Sequence, residues 1–243
     1  ATFSNHFESI FSKCPFNTAC VYSFSKYFGA TGWRLGTIAI HENNVFDHLI
    51  AQQSTSTQKE TQQRYASLTD KPDELKFIDR LVADSRAVAL NHTAGLSGPQ
   101  QLQMTLFALA SLLDTDNHYR TAAKRLIHRR YEILLRCISP KLTHLVAQEN
   151  LVGYYVLLDL PKLAEILFNK TFGQFVSQHY DAATFLKRLA SETGVVLLPG
   201  KGFDAEFPSA RVSLANLREY DYRMIGAAVR RILDELYQEH TTA

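Results

Sequence analysis

At 243 residues the chain is long enough for one large domain or two modest ones with proper cores. Apolar residues make up 46%, charged residues 21%, and the formal net charge is +2, so it carries no electrostatic footprint for nucleic acid or a membrane surface. Its three cysteines, Cys14, Cys20 and Cys137, show no metal spacing; reduced thiols of a cytoplasmic protein are expected, and no metal site.

In chain order, residues 7–11 read as a short helical turn and residues 18–25 as a strand. A lysine, Lys26, stands directly after the Ser-x-Ser end of that strand. Residues 34–40 form the next strand, a near-continuous apolar run of the kind buried in an α/β sheet. Residues 41–44 open a helix that continues to Ile50. The chain then turns polar over residues 52–63, which predicts an exposed helix end or loop. Leu75, Ile78, Leu81, Val82, Ser85, Val88 and Ala89 recur at helical spacing and predict a core-facing helix over 73–90. Residues 91–99 break it, Pro99 suits the first position of a new helix, and residues 100–113 are apolar on most faces, which predicts a buried helix.

Asp116 is a candidate cap for a long helix reaching about residue 137. Its cations Lys124, Arg125, His128, Arg129 and Arg130 alternate with the apolar stripe Leu126, Ile127, Tyr131, Leu134 and Leu135, which predicts a solvated face on an amphipathic helix. Beyond Pro140 the pattern becomes a smaller α+β unit. Strands are predicted at 152–160, 195–198 and 210–215, with helices at 181–193, stopped by Gly194, and from 218 to about 239. No repeat or low-complexity linker is present, and the domain division is expected near residues 114–118.

The stretch Ser23-Phe24-Ser25-Lys26-Tyr27-Phe28-Gly29-Ala30-Thr31-Gly32-Trp33-Arg34-Leu35-Gly36 carries the chemistry. An aldehyde cofactor needs an amine to hold it covalently, and lysine is the side chain that supplies one. A desolvated lysine near another cation loses its proton more readily. A phosphate group takes hydroxyls, backbone N–H groups and a guanidinium; Ser23, Ser25 and Arg34 offer that set, and Gly29, Gly32 and Gly36 allow close backbone approach. Two charges flanking a glycine-bearing turn are ordinarily solvated hairpin charges. What sets this stretch apart is the whole string.

That string resembles the lysine segment of the fold-type I, class I/II pyridoxal-phosphate aminotransferases. With Val21-Tyr22 before it and His41-Glu42-Asn43-Asn44-Val45-Phe46-Asp47 after it, it is most similar to their aspartate 4-decarboxylase branch. Two later motifs are similar to the same family. Pro199-Gly200-Lys201-Gly202-Phe203 resembles its Pro-Gly-x-x-Phe turn near the active-site mouth, and Ala210-Arg211-Val212-Ser213-Leu214-Ala215 resembles the strand whose arginine grips the substrate's α-carboxylate. An isolated strand arginine would more often be a surface ion-pair partner. The Lys26–Arg211 interval is longer than in plain aspartate aminotransferases, with the excess after residue 50 and around 161–180, which favours the decarboxylase branch.

The resemblance implies an α/β protein. Residues 1–115 would be the C-terminal part of the large parallel-sheet, cofactor-binding domain, and residues 116–243 the small α+β domain. Lys26 would be the catalytic residue, with Ser23, Ser25, Lys26 and Arg34 binding pyridoxal 5'-phosphate and Arg211 binding substrate. The reaction implied is conversion of L-aspartate to L-alanine and CO2, with transamination to a 2-oxo acid as a side activity, in a homo-oligomer of at least two subunits. Residues 91–101 occupy the position where family members present a loop to a neighbouring subunit's cofactor phosphate, which makes His92 and Ser97 candidate contacts. The aspartate that pairs with the pyridine nitrogen and the tyrosine that bonds the ring oxygen would lie upstream of Ala1. That leaves two alternatives open: a plain class I aminotransferase, and a catalytically incompetent assembly half.

Overall fold

The computed structural model describes residues 8–88, 95–147 and 153–242. Near the start, Ser9 caps α1 (Ile10–Lys13) by accepting from Ser12 N. An antiparallel hairpin follows, formed by β1 (Ala19–Ser23) and β2 (Gly36–Ile40), with Ala19 opposite Ile40 and Ser23 opposite Gly36. Between the strands lies the four-residue helix α2 (Phe24–Tyr27). Asn44 then starts α3 (Val45–Ala51) by accepting from Asp47 N at 2.9 Å.

The polar stretch after residue 52 is more ordered than its composition predicts. Ser54 caps α4 (Thr55–Tyr65), and the buried Tyr65 donates its hydroxyl to Asp84 at 3.0 Å. Asp84 lies on α5 (Phe77–Val88) and also accepts from Arg64 Nε at 3.0 Å. Burial, followed by the bond to Asp84, holds the Tyr65 hydroxyl above its ordinary pKa. A buried aromatic with its hydrogen bond made anchors a helix that has little else to bury. Ser97 and Gln100 form a capping box at the start of α6 (Gly98–Leu113), and Pro99 stands in its first turn.

The chain divides into two compact units that part between Thr115 and Asp116. In the second, the helix predicted from Asp116 begins one step later: Asn117, left-handed at φ 57°, stands at the cap of α7 (His118–Ile138). Asn tolerates that conformation better than most residues. A strand, β3 (Tyr155–Asp159), follows, and Asp159 caps α8 (Leu160–Leu167). After α8, Asn169 caps α9 (Lys170–His179) and Asp181 caps α10 (Ala182–Thr193), which Gly194 ends at φ 71°. Then come β4 (Leu198–Pro199), β5 (Ser209–Ser213) and the long α11 (Glu219–Thr242). The sheet order is β3-β5-β4, antiparallel throughout.

Period-2 alternation sorts the faces of this sheet. Val156 and Leu158 of β3, with Ala210 and Val212 of β5, join one apolar core that runs from Tyr131 to Leu236. Tyr155, Leu157, Arg211 and Ser213 take the other face. Gly226 lets α11 approach α7 closely: a Cβ there would lie 2.6 Å from Leu134 O and 2.8 Å from Cys137 Cβ.

Several expectations are corrected. The strand pairs among the described residues are all antiparallel, so of the expected large parallel sheet only a hairpin is present. β2, apolar enough to be covered on both faces, is exposed along most of its length. No described residue of α6 is buried, and Leu102, Leu106, Leu109, Leu112 and Leu113 face outward. An apolar helix is buried only where another layer packs on it, and what α6 contacts here are the hairpin loop's Phe24, Phe28 and Trp33. Arg130 is not part of a solvated face: its Nη1 donates to Leu214 O at 2.9 Å and Ala215 O at 2.8 Å, beneath the Tyr222 ring. Residues 161–180 hold two helices where none was predicted.

The close α7–α11 crossing gives a stability prediction. Gly226→Ala forces the helices apart and should cost about 1–3 kcal/mol, read as a lower urea midpoint at unchanged slope.

Candidate active site

The lysine half of the site is built by the mouth of the hairpin. Ser23 pairs with Gly36, and Phe24 N donates to Leu35 O at 3.1 Å. There the ladder ends, because the Ser23 hydroxyl accepts from Ser25 N at 3.2 Å and turns the chain into α2. Lys26 sits in the last turn of α2 with its side chain exposed, whereas Phe24 and Ser25 are buried. The return path is fixed by short bonds. Ala30 N donates to Ser25 O at 3.0 Å, Trp33 N donates to Ala30 O at 3.2 Å, and Gln100 Nε2 reaches Trp33 O at 3.1 Å from α6. Phe28 stacks on Phe107 at 4.4 Å between ring centres, and Phe24 stacks beside them.

Arg34 closes this loop in the left-handed conformation, at φ 55° and ψ 45°. The other non-glycine residues with positive φ among those described are Asn117 and Asp204, residue types that favour this region. For an arginine it is strained by roughly 1–2 kcal/mol. Strain of this kind persists only where the surroundings over-determine it; here the buried Leu35 and the Ser23–Gly36 pair fix the following residues. The Arg34 head is exposed, with one long contact, Nη1 to Thr31 O at 3.4 Å.

These residues fit an aldehyde cofactor bearing a phosphate. One amine and one guanidinium flank the same loop, and the Ser25 hydroxyl makes no hydrogen bond to another described residue. The space beside Gly29 and Gly32 is open, with nothing within 4 Å of an added Cβ.

Arg211 belongs to the second unit. It lies mid-way along the central strand β5, opposite Leu157 on one side and Leu198 on the other. The Pro199-Gly200 turn abuts this strand so closely that a Cβ at Gly200 would meet Ser209 Oγ. The 3-10 turn Gly200–Phe203 then carries the Phe203 ring over Arg211, with Cζ 3.5 Å from the ring centre. The Tyr155 ring stands 4.2 Å from the same atom. The guanidinium makes no hydrogen bond or ion pair among the described residues.

The structure thus gathers Ser23, Ser25, Lys26 and Arg34 at one hairpin mouth and places Arg211 on a separate sheet. Ser97 serves as a helix cap, and His92 lies outside the described residues. Sequence reading missed Gln100 and Phe107, which brace the loop from α6, and Tyr155, which reaches Arg211 through strand pairing. Of the aromatic pair, only Phe203 carried a local signal, its Pro-Gly-x-x-Phe motif.

Comparison with known proteins decides the family. The profile described as aminotransferase class I and II matches residues 8–229. The chain belongs to that family. Membership implies the fold-type I architecture and small amino- and oxo-acid substrates for its members. The chain is also 53% identical, over 240 residues, to a bifunctional aspartate aminotransferase and L-aspartate beta-decarboxylase from Pseudomonas sp. The match covers 98% of this chain and 44% of that protein, so the chain spans less than half the length of this curated relative.

The strain at Arg34 can be measured. Arg34→Gly relaxes the left-handed backbone and Arg34→Ala does not, so the glycine variant should be the more stable by about 1 kcal/mol. Equal urea midpoints for the two would show that the position is unstrained.

Proposed function

We propose that this chain carries the lysine and substrate-carboxylate elements of a pyridoxal-phosphate enzyme that converts L-aspartate to L-alanine and CO2 and also transaminates aspartate. The observation that carries the reading is the hairpin mouth, where Lys26 and a strained Arg34 flank one loop. The 53% identity to a protein bearing both activities supports the choice of substrate. On this reading residues 1–115 are part of the large cofactor-binding domain, residues 116–243 are the small domain, and the enzyme acts as a cytoplasmic oligomer of at least two subunits.

Lys26 Nζ is the amine that would hold an aldehyde cofactor covalently. Arg34, with Ser23 and Ser25, would bind the phosphate, and the left-handed backbone fixes where the Arg34 side chain leaves the loop. Pyridoxal phosphate, when bound, supplies an electron sink for charge developing at the substrate carbon.

Arg211 binds the α-carboxylate of aspartate in two parallel N–H···O bonds, and in doing so orients the Cα–H bond. The Lys26 amine would be the base that takes the substrate Cα proton and the acid that returns protons later in the cycle. In the decarboxylation the bond between Cβ and the distal carboxylate breaks, CO2 leaves, and a proton replaces it on Cβ. Aspartate and the sum of alanine and CO2 then balance.

In the full-length protein, Lys26→Ala should lower both decarboxylation and transamination by at least about a thousandfold; appreciable turnover in that variant overturns the assignment. Arg211→Lys keeps the charge but loses the planar fork, and should raise KM for aspartate by roughly ten- to a hundredfold. An unchanged KM would remove Arg211 from the substrate site.

A further inference from the structure

We infer that Phe203 and Tyr155 are positioning residues: together they orient the Arg211 guanidinium while leaving its N–H donors for the substrate carboxylate. This deepens the reading above, and it rests on Arg211 being the carboxylate site.

The contrast with the arginines that protein acceptors hold carries the argument. Arg64 pairs with Asp84, Arg188 with Glu192, Glu235 and Glu239, and Arg230 with Asp234. Arg130 is held by two backbone carbonyls. Each of these spends donors on protein acceptors, Arg130 through Nη1. Arg211 spends none on the described residues, and its cation is instead set against two aromatic rings at 3.5 and 4.2 Å.

The difference has chemical content. An arginine carries rotamer entropy that must be lost when it grips a ligand. A carboxylate partner would fix it beforehand but would neutralise it and occupy the fork. A ring attracts the cation through its negative face and has no acceptor in the plane of the N–H groups. The guanidinium can then be held before substrate arrives with charge and donors intact, which is preorganisation.

The placement of the rings fits this role. Tyr155 stands opposite Ser213 while Arg211 stands opposite Leu157, so the Tyr155–Arg211 contact is the diagonal one an aromatic can span. Phe203 is 46% exposed, and its described ring contact is with Arg211. An aromatic so exposed contributes little to the core. The tight Pro199-Gly200 turn against Ser209 aims it across the strand.

The test uses the full-length protein loaded with pyridoxal phosphate, with aspartate as substrate and maleate, a dicarboxylate without an amine, as probe. Phe203→Leu and Tyr155→Leu should each raise KM and the maleate inhibition constant roughly five- to thirtyfold, with kcat changing by less than about twofold. Phe203→Tyr and Tyr155→Phe keep a ring and should restore parent values. In an Arg211→Ala background, Phe203→Leu should add nothing, because the group it positions is gone.

Unchanged KM in both leucine variants overturns the inference, as does a leucine effect that persists without Arg211 or that the ring-preserving variants fail to restore. If Arg211→Ala itself leaves KM unchanged, the carboxylate reading falls and the positioning role falls with it. If Arg211→Ala raises KM and the leucine variants do not, only the positioning role falls.

Discussion

A close approach of two backbones governs the lysine half of this protein. A Cβ at Gly36 would lie 3.0 Å from Tyr22 O, tighter than side-chain carbons ordinarily sit, so a larger residue at position 36 would require β1 to give way at this rung. From that rung the rest follows by short links. Ser23 is held opposite Gly36, its hydroxyl starts α2, and α2 presents Lys26. On the return side Leu35 is fixed by Phe24 N, and Arg34 must take the left-handed turn that joins it to Trp33. A slip of one residue would turn the slipped strand's side chains to the opposite face relative to its partner and shift Arg34 relative to Lys26.

The two units are held by different means. In the second, one core of fully buried residues, among them Leu134, Phe172, Leu189 and Ile232, leaves little latitude for β5. Arg211 is therefore displayed by a sheet that packing fixes from behind. Among the described residues of the first unit few apolar side chains are buried, chiefly Phe24, Ala30, Leu35 and Tyr65. Hydrogen bonds, helix caps and the Phe24–Phe28–Phe107 stack carry its geometry. Such local devices contribute about a kilocalorie each, so the loop around Lys26 depends on several acting together.

Much of this was legible from local pattern, because caps and turns act over a few residues. Gly194 and Pro99 mark the helix boundaries they were expected to mark, and the hairpin strands lie within a residue or two of their expected places. Burial was less legible. The apolar pattern of α6 and β2 says that these segments can be covered, but covering is a property of the neighbouring layer. Partners distant in sequence were not legible at all: Gln100 reaching Trp33, Arg130 reaching Leu214 and Tyr155 beside Arg211 each depend on tertiary placement. The two helices across residues 161–180 carry their signals in the caps Asp159, which falls inside the strand expected at 152–160, and Asn169, where no element was expected.

The cations assigned to ligands are held without being neutralised, and the two halves do this differently. Arg34 has a fixed backbone, its φ and ψ set by neighbours on either side, and its exposed head makes one long contact to a carbonyl. Arg211 sits on an unstrained strand, so it needs side-chain support, and aromatic faces give that support without an opposing charge. A carboxylate at either place would have stabilised the free protein and weakened its hold on an anion by a comparable amount, since both anions would compete for one fork. A fixed backbone at one arginine and ring contact at the other thus leave a positive charge with its donors still open.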